Sequence, residues 1–153
     1  MLEEKGHPVI HETARTFIDQ EMSKGLTIEE IRKDEQAFQR KILEMKIEIE
    51  KIQPKEPLTF FDRGIPDTWA YDKLYEVENN LILENAMKEC WYKKIFILDQ
   101  LPYIVDYART ESKEQQDKLH EYLEEVYRML NFEVVRVPVL PPEERLKFIL
   151  GNL

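Results

Sequence analysis

The chain has 153 residues, 42% of them hydrophobic and 35% charged, which excludes a chain disordered by composition and leaves enough apolar side chain for one core. Its length is that of a single domain, expected here over residues 1–153. Asp and Glu number 31 against 22 Lys and Arg, a net charge of -9, so no basic surplus exists to displace counterions from nucleic acid and any phosphate chemistry must rest on a few placed arginines.

In chain order, Met1 to Lys5 reads as the end of a helix capped by Gly6, followed by a strand at Pro8-Val9-Ile10-His11. Phe17, Ile18 and Met22 suit a short helix from Thr13 that stops at Gly25. Thr27 and Glu30 form a capping-box pair that opens one long helix over residues 28–52, with Ile28, Ile31, Phe38, Ile42, Met45, Ile49 and Ile52 in a heptad-like rhythm. Leu43 and Ile47 add apolar surface on another side, which favours a helix packed between a sheet and a neighbouring helix over a coiled coil. Leu58-Thr59-Phe60-Phe61 is a continuous apolar run ending in Asp62-Arg63-Gly64, as in a strand buried on both faces. Helices then follow from Pro66-Asp67 and from about Asn80 to Trp91.

Lys94 to Leu98 is the next buried strand, and Leu119, Tyr122, Leu123, Val126 and Leu130 mark a helix in the charged stretch 111–130. Glu133 to Val137 is the last strand, and Pro142 opens a terminal helix. Strands alternating with helices predict an α/β fold. Cys90 has no partner in the chain, so it is read as a packing residue in a reducing compartment. The first residues lack the apolar stretch of a signal peptide and no run approaches the ~18 residues of a membrane helix, so a cytoplasmic protein is expected, with neither membrane nor nucleic acid as partner.

Ligands of open parallel sheets bind beyond the carboxyl ends of the strands. There the sequence places Glu12 and Arg15 after the first strand, Asp62 and Arg63 after the second, and Tyr103, Asp106, Arg109 and Glu111 after the third. An Asp ending a buried strand can hold a metal-bound water against phosphates, and arginines give two-pronged contacts to phosphate oxygens. Glu12 could accept a proton from an attacking hydroxyl. The competing reading is that Asp62 caps a helix and Arg63 pairs with Glu12. His7 and His11 beside Glu12 do not follow the order of a zinc-binding H-E-x-x-H helix, and His120 reads as solvent-facing.

Pro8-Val9-Ile10-His11-Glu12-Thr13-Ala14-Arg15 resembles the Glu-x-Ala-Arg segment of the AAA-type ATPases grouped with the NadR kinase domain. Phe60-Phe61-Asp62-Arg63-Gly64-Ile65-Pro66-Asp67 resembles that family's Asp-Arg-Gly-x-Pro-Asp segment. Phe38-Gln39, Leu101-Pro102 to Arg109, Tyr127 and Val137 to Arg145 agree with it in order and spacing. The resemblance implies a P-loop NTPase fold of the small-molecule-kinase type, a three-layer parallel sheet with flanking helices, binding ATP or GTP with magnesium and a small-molecule acceptor. It implies a Walker B-like magnesium role for Asp62, through water, and an acceptor side lined by Glu12, Arg15 and Arg63. Arg109 would then sit on a lid over the phosphates, Gln39 and Trp69 would face the acceptor, and Val139, Leu140 and Pro141 would pass near the base.

The family's G-x-x-x-x-G-K-[ST] loop does not occur in the sequence, whose four glycines are Gly6, Gly25, Gly64 and Gly151. The expectation is therefore an N-terminally incomplete domain missing the central P-loop strand, with the strands ending at Asp62 and Leu98 facing the gap and without nucleotide turnover as it stands. Three arrangements fit: a longer product that carries the loop, a decayed remnant, or strands that close on each other or on another subunit as a homo-oligomer. The alternative function is a non-catalytic binding protein that presents the 28–52 helix to a partner.

Overall fold

Parallel pairing of short apolar segments organises the chain. A computed structural model describes residues 1–77, 80–102 and 111–153. After a 3-10 turn at Glu3–Lys5, closed by Gly6 at φ +82°, comes strand β1 (Val9–Ile10), then helices α1 (Thr13–Ser23), α2 (Ile28–Ile31) and α3 (Glu35–Ile52). Strand β2 (Phe60–Phe61) leads to α4 (Asp67–Leu74) and α5 (Leu81–Lys88), and the chain ends with β3 (Ile95–Leu98), α6 (Lys113–Met129), β4 (Val134–Val137) and α7 (Pro142–Gly151).

β1 and β2 pair in parallel with Val9 opposite Phe60 and Ile10 opposite Phe61, and β3 and β4 pair in parallel from Ile95 opposite Val134 to Leu98 opposite Val137. The two pairs form separate two-stranded sheets among the described residues. The α/β expectation holds, and so does the order of strands and helices along the chain. β2 is shorter than the apolar run suggested, and Phe60 and Phe61 are half-buried rather than covered on both faces. Both rings border the large cleft described below, which leaves part of their surface open.

The continuous 28–52 helix is not formed. Thr27 and Glu30 do make the capping box, with Glu30 N–H donating to Thr27 Oγ1 at 3.2 Å and Thr27 N–H to Glu30 Oε2 at 2.9 Å. The chain then breaks at Arg32 to Asp34, where Asp34 adopts an extended backbone and its Oδ1 accepts the Ala37 N–H at 2.9 Å. A short acidic side chain offering that bond competes with the next backbone hydrogen bond, and a new helix start wins.

Apolar burial ties these pieces together. Ile18 on α1 packs on Phe38 and Ile42 of α3, and Leu43, fully buried, meets Ile65 and Leu83. Ala70 of α4 packs on Leu119 and Leu123 of α6, whose Val126 and Tyr127 cover Ile95 and Ile97 of β3. Each fully buried aliphatic side chain contributes roughly 1.5–3 kcal/mol. The two sheets are thus joined through α4 and α6 rather than by a shared strand.

Gly64 follows β2 where two aromatic hydroxyls converge. A Cβ on it would lie 2.5 Å from Tyr92 Oη and 3.0 Å from Tyr127 Oη. Both hydroxyls are anchored on carboxylates, Tyr92 on Glu50 and Tyr127 on Asp67, and cannot simply swing away. Gly64→Ala is expected to destabilise the protein by about 1–3 kcal/mol, the usual cost of overpacking, read from thermal or urea unfolding; an unchanged midpoint would show that the rings yield freely.

Candidate functional site

Parallel pairing sets the ends of β1 and β2 side by side. Asp62 N–H donates to the Ile10 carbonyl at 2.8 Å, so the residues that follow each strand, Glu12 and Arg15 from one and Asp62 and Arg63 from the other, emerge at the same end. All four line one cleft of about 1260 Å³, together with Gln39, Lys46, Asp67 and Tyr71. That exceeds the roughly 300–1,000 Å³ of a typical small-molecule pocket. Its walls include both β2 and β3.

The turn from Asp62 to Asp67 is built backbone-first. Arg63 takes a left-handed backbone, φ +74°, uncommon for a residue with a side chain. Asp67 at the start of α4 accepts the Gly64 N–H on Oδ2 at 2.9 Å and Arg63 Nη1 on Oδ1 at 3.2 Å, and Tyr127 donates its hydroxyl to Oδ2. From α3, Lys46 Nζ donates to the Gly64 carbonyl at 2.8 Å. Glu50 Oε1 and Tyr92 Oη both accept the Ile65 N–H, at 3.0 and 2.9 Å, while Tyr92 donates to Glu50 at 2.7 Å. Asp62 does not cap α4, whose N-cap is Pro66 without a side-chain cap bond, and its own side chain is exposed on the cleft.

These charges tune one another. Burial pushes the Asp67 pKa up, but Arg63, Lys46, the Tyr127 hydroxyl and the Gly64 N–H outweigh it and hold the carboxyl below its usual range. Burial lowers the Lys46 pKa, and Arg63 adds to the shift. Burial raises Glu50 against the pull of Tyr92, the Ile65 N–H and Lys46. The Arg63 guanidinium is disfavoured by burial, yet Tyr71, Asp67 and Glu12 raise its pKa further above the ordinary value, so it stays charged. Glu12 itself lies 3.7 Å from Arg15 Nε, and Arg63 pairs with Asp67 rather than with Glu12.

A second polar cluster borders the cleft. Arg32 donates from Nε and Nη2 to the two Glu35 oxygens at 2.9 and 2.8 Å, and its Nη2 also reaches Glu111 at 3.3 Å and the Tyr75 hydroxyl at 3.4 Å. Gln39 donates to Glu35 Oε1 at 2.8 Å. This cluster holds the α2–α3 break against the start of α6.

Of the residues singled out in the sequence, Glu12, Arg15, Asp62, Arg63 and Gln39 come together at the cleft. Trp69 does not; it packs among Val126, Leu83 and their neighbours, with Lys73 Nζ 4.8 Å from its ring centre. Val139, Leu140 and Pro141 also lie outside the cleft, where the Leu140 carbonyl accepts from Arg145 at 3.0 Å and Pro141 precedes α7. Arg109, with Tyr103 and Asp106, lies outside the described residues. His11 meets Glu3 at 3.1 Å, and His7 stands edge-on to Phe60.

Lys46, Glu50, Tyr92 and Arg32 went unnoticed in the sequence, whereas Glu111, weighed there after the third strand, joins the Arg32 cluster. The available signal was charge in the wrong place: Lys46 and Glu50, four residues apart, fall on the same face of α3 as Ile42 and Leu43.

The model of the AAA domain family matches residues 1–145. The chain belongs to the AAA domain family. For this AAA domain, membership carries a P-loop NTPase-like, nucleotide-binding function at the level of the family. No curated protein and no solved structure matches the chain. No helix among the described residues is long and apolar enough to cross a membrane.

Magnesium is what the resemblance of the Asp62 segment implies. Among the described residues no three His, Cys, Asp or Glu side chains are grouped to hold a metal ion. The Asp62 carboxylate, exposed on the cleft, is the residue that would hold magnesium, an ion that keeps several waters and takes one or two carboxylates plus substrate phosphates rather than a protein cage.

Asp67→Asn would leave the buried Lys46 and the half-buried Arg63 without their counter-charge, and breaking a buried arrangement of this kind costs up to about 3–5 kcal/mol. Because the Asp67 carboxyl titrates below 3.8 in the fold, its contribution is present above that value and is lost as pH falls through the lower folded pKa. Urea midpoints of wild type and variant should therefore be far apart at neutral pH and converge on acidification below 3.8. A constant gap would mean that Asp67 is not held ionised by its neighbours.

Proposed function

We propose that this cleft is the magnesium–nucleotide and acceptor site of a small-molecule kinase-type P-loop NTPase akin to the NadR kinase domain. The supporting observation is the convergence of Glu12, Arg15, Asp62 and Arg63 at the paired ends of β1 and β2 in a chain of the AAA domain family. In this reading Asp62 orients water around magnesium, and the ion, when bound, neutralises charge between the phosphates of ATP or GTP. Arg63, fixed by Asp67, and Arg15 bind phosphate oxygens of the ligand. Glu12 receives the proton of a small-molecule hydroxyl, and Gln39 lines the acceptor side with its amide nitrogen committed to Glu35.

The finer architecture belongs to the same proposal. β2 and β3 belong to different sheets, and both border the cleft; a P-loop strand seated between them would complete a three-layer parallel sheet and supply the backbone donors absent from this sequence. Without them the chain should bind nucleotide only weakly, since losing one oxyanion donor alone is worth about 10²–10³ in rate. The cytoplasm, where Cys90 stays a thiol, is the compartment this reading assigns. A partner-presenting role for residues 28–52 is disfavoured, because the helix is broken and Phe38, Ile42, Leu43 and Lys46 are buried within the protein.

Manganese-ATP, a paramagnetic stand-in for magnesium-ATP, tests the site. Calorimetry on the 153-residue chain should show no micromolar binding. At nucleotide concentrations near a Kd of about 1 mM, the amide signals of Glu12, Asp62, Arg63 and Gly64 should broaden selectively, and Asp62→Asn should abolish the effect. Broadening spread evenly over the surface, or unaffected by Asp62→Asn, would sink the assignment.

A further inference from the structure

The two backbone units after Arg63 are held by buried side chains to an unusual degree. Lys46 Nζ takes the oxygen of the Gly64–Ile65 peptide at 2.8 Å, and Glu50 Oε1 with Tyr92 Oη takes its N–H at 3.0 and 2.9 Å. One peptide group is thus gripped at both ends, by two residues one turn apart on α3. Asp67 takes the N–H of the preceding unit at 2.9 Å. Lys46 and Glu50 are only 6% and 7% exposed. Buried charges of this kind are poor contributors to stability, because desolvation offsets their attraction.

Apolar residues would suit those two positions on α3 better if packing were their only task. Arg63, one residue before the gripped units, needs its left-handed backbone fixed from outside, since a side chain disfavours that conformation. We infer that Lys46 and Glu50 are positioning residues, which lock the Gly64–Ile65 peptide and thereby aim Asp62 and Arg63 into the cleft. The inference rests on the proposed nucleotide site for its functional consequence, but the backbone effect stands by itself. Neither residue needs to touch a ligand. Their action resembles that of the partners that orient metal ligands, whose loss typically costs 10- to 100-fold in affinity.

The test replaces both charges with apolar side chains in Lys46→Met/Glu50→Leu and reads two signals from the whole chain. Three-bond couplings that report φ should show Arg63 leaving the left-handed region, with cooperative melting retained. The manganese-ATP broadening at Asp62 and Arg63 should then weaken by roughly 10- to 100-fold in apparent affinity. A folded variant that keeps the wild-type Arg63 couplings overturns the inference. If wild type shows no manganese-ATP footprint, the proposed function fails while the couplings still decide the positioning role. Should the double variant not fold, the single variants Lys46→Met, which removes the donor to the Gly64 carbonyl, and Glu50→Leu, which removes a carboxylate acceptor of the Ile65 N–H, take its place: altered Arg63 couplings in either support the inference and unchanged ones in both overturn it.

Discussion

A single buried carboxylate underlies the architecture of the site. Asp67 gathers the Gly64 N–H, the Arg63 guanidinium and the Tyr127 hydroxyl at the first turn of α4, where the helix dipole favours negative charge. Through Tyr127 it joins α6 to the turn after β2, and through Arg63 it keeps a cation at the mouth of the cleft. Hydrogen bonds to an ionised acceptor are stronger than neutral ones, so three of them converging on one group can hold a backbone conformation that the chain would not adopt unaided.

The second constraint is how the strands are paired. Two parallel pairs leave Asp62 and Glu12 at one end of a wide cleft, and α4 and α6 bridge the pairs through Ala70, Leu119 and Leu123. The site's charged residues therefore arrive from the ends of β1 and β2, from α1 and α3 and from the first residue of α4, while the apolar framework behind them comes from Ala70 further along α4 and from α6. Function and packing are divided between different faces of the same elements.

The order of elements was legible in the sequence because turn chemistry and apolar runs agreed: the Thr27 capping box, Asn80 before α5 and Pro142 opening α7 all mark real boundaries. So was the convergence of Glu12, Arg15, Asp62 and Arg63, which follows once two strands are taken as parallel neighbours. The helix break at Asp34 was hidden because a heptad-like rhythm continues across it, and periodicity does not register a side chain that caps its own neighbour. Trp69 was drawn toward the cleft by aromatic chemistry, whereas its place on α4 faces the core. Lys46 and Glu50 were passed over because charged residues on a helix are usually solvent-facing, and only tertiary packing shows which charges are turned inward.

The separation of the two sheets has a consequence for how the molecule fluctuates. No strand ladder crosses from β1–β2 to β3–β4 among the described residues, so parting the halves breaks side-chain contacts but no inter-strand backbone hydrogen bond. The segment from β3 through α6 to β4 closes its own ladder locally, whereas β1 and β2 meet only after the chain has wound through α1, α2 and α3. What couples the halves is thus the packing of Ala70 on Leu119 and Leu123, so any local opening that separates them has to break that apolar contact first.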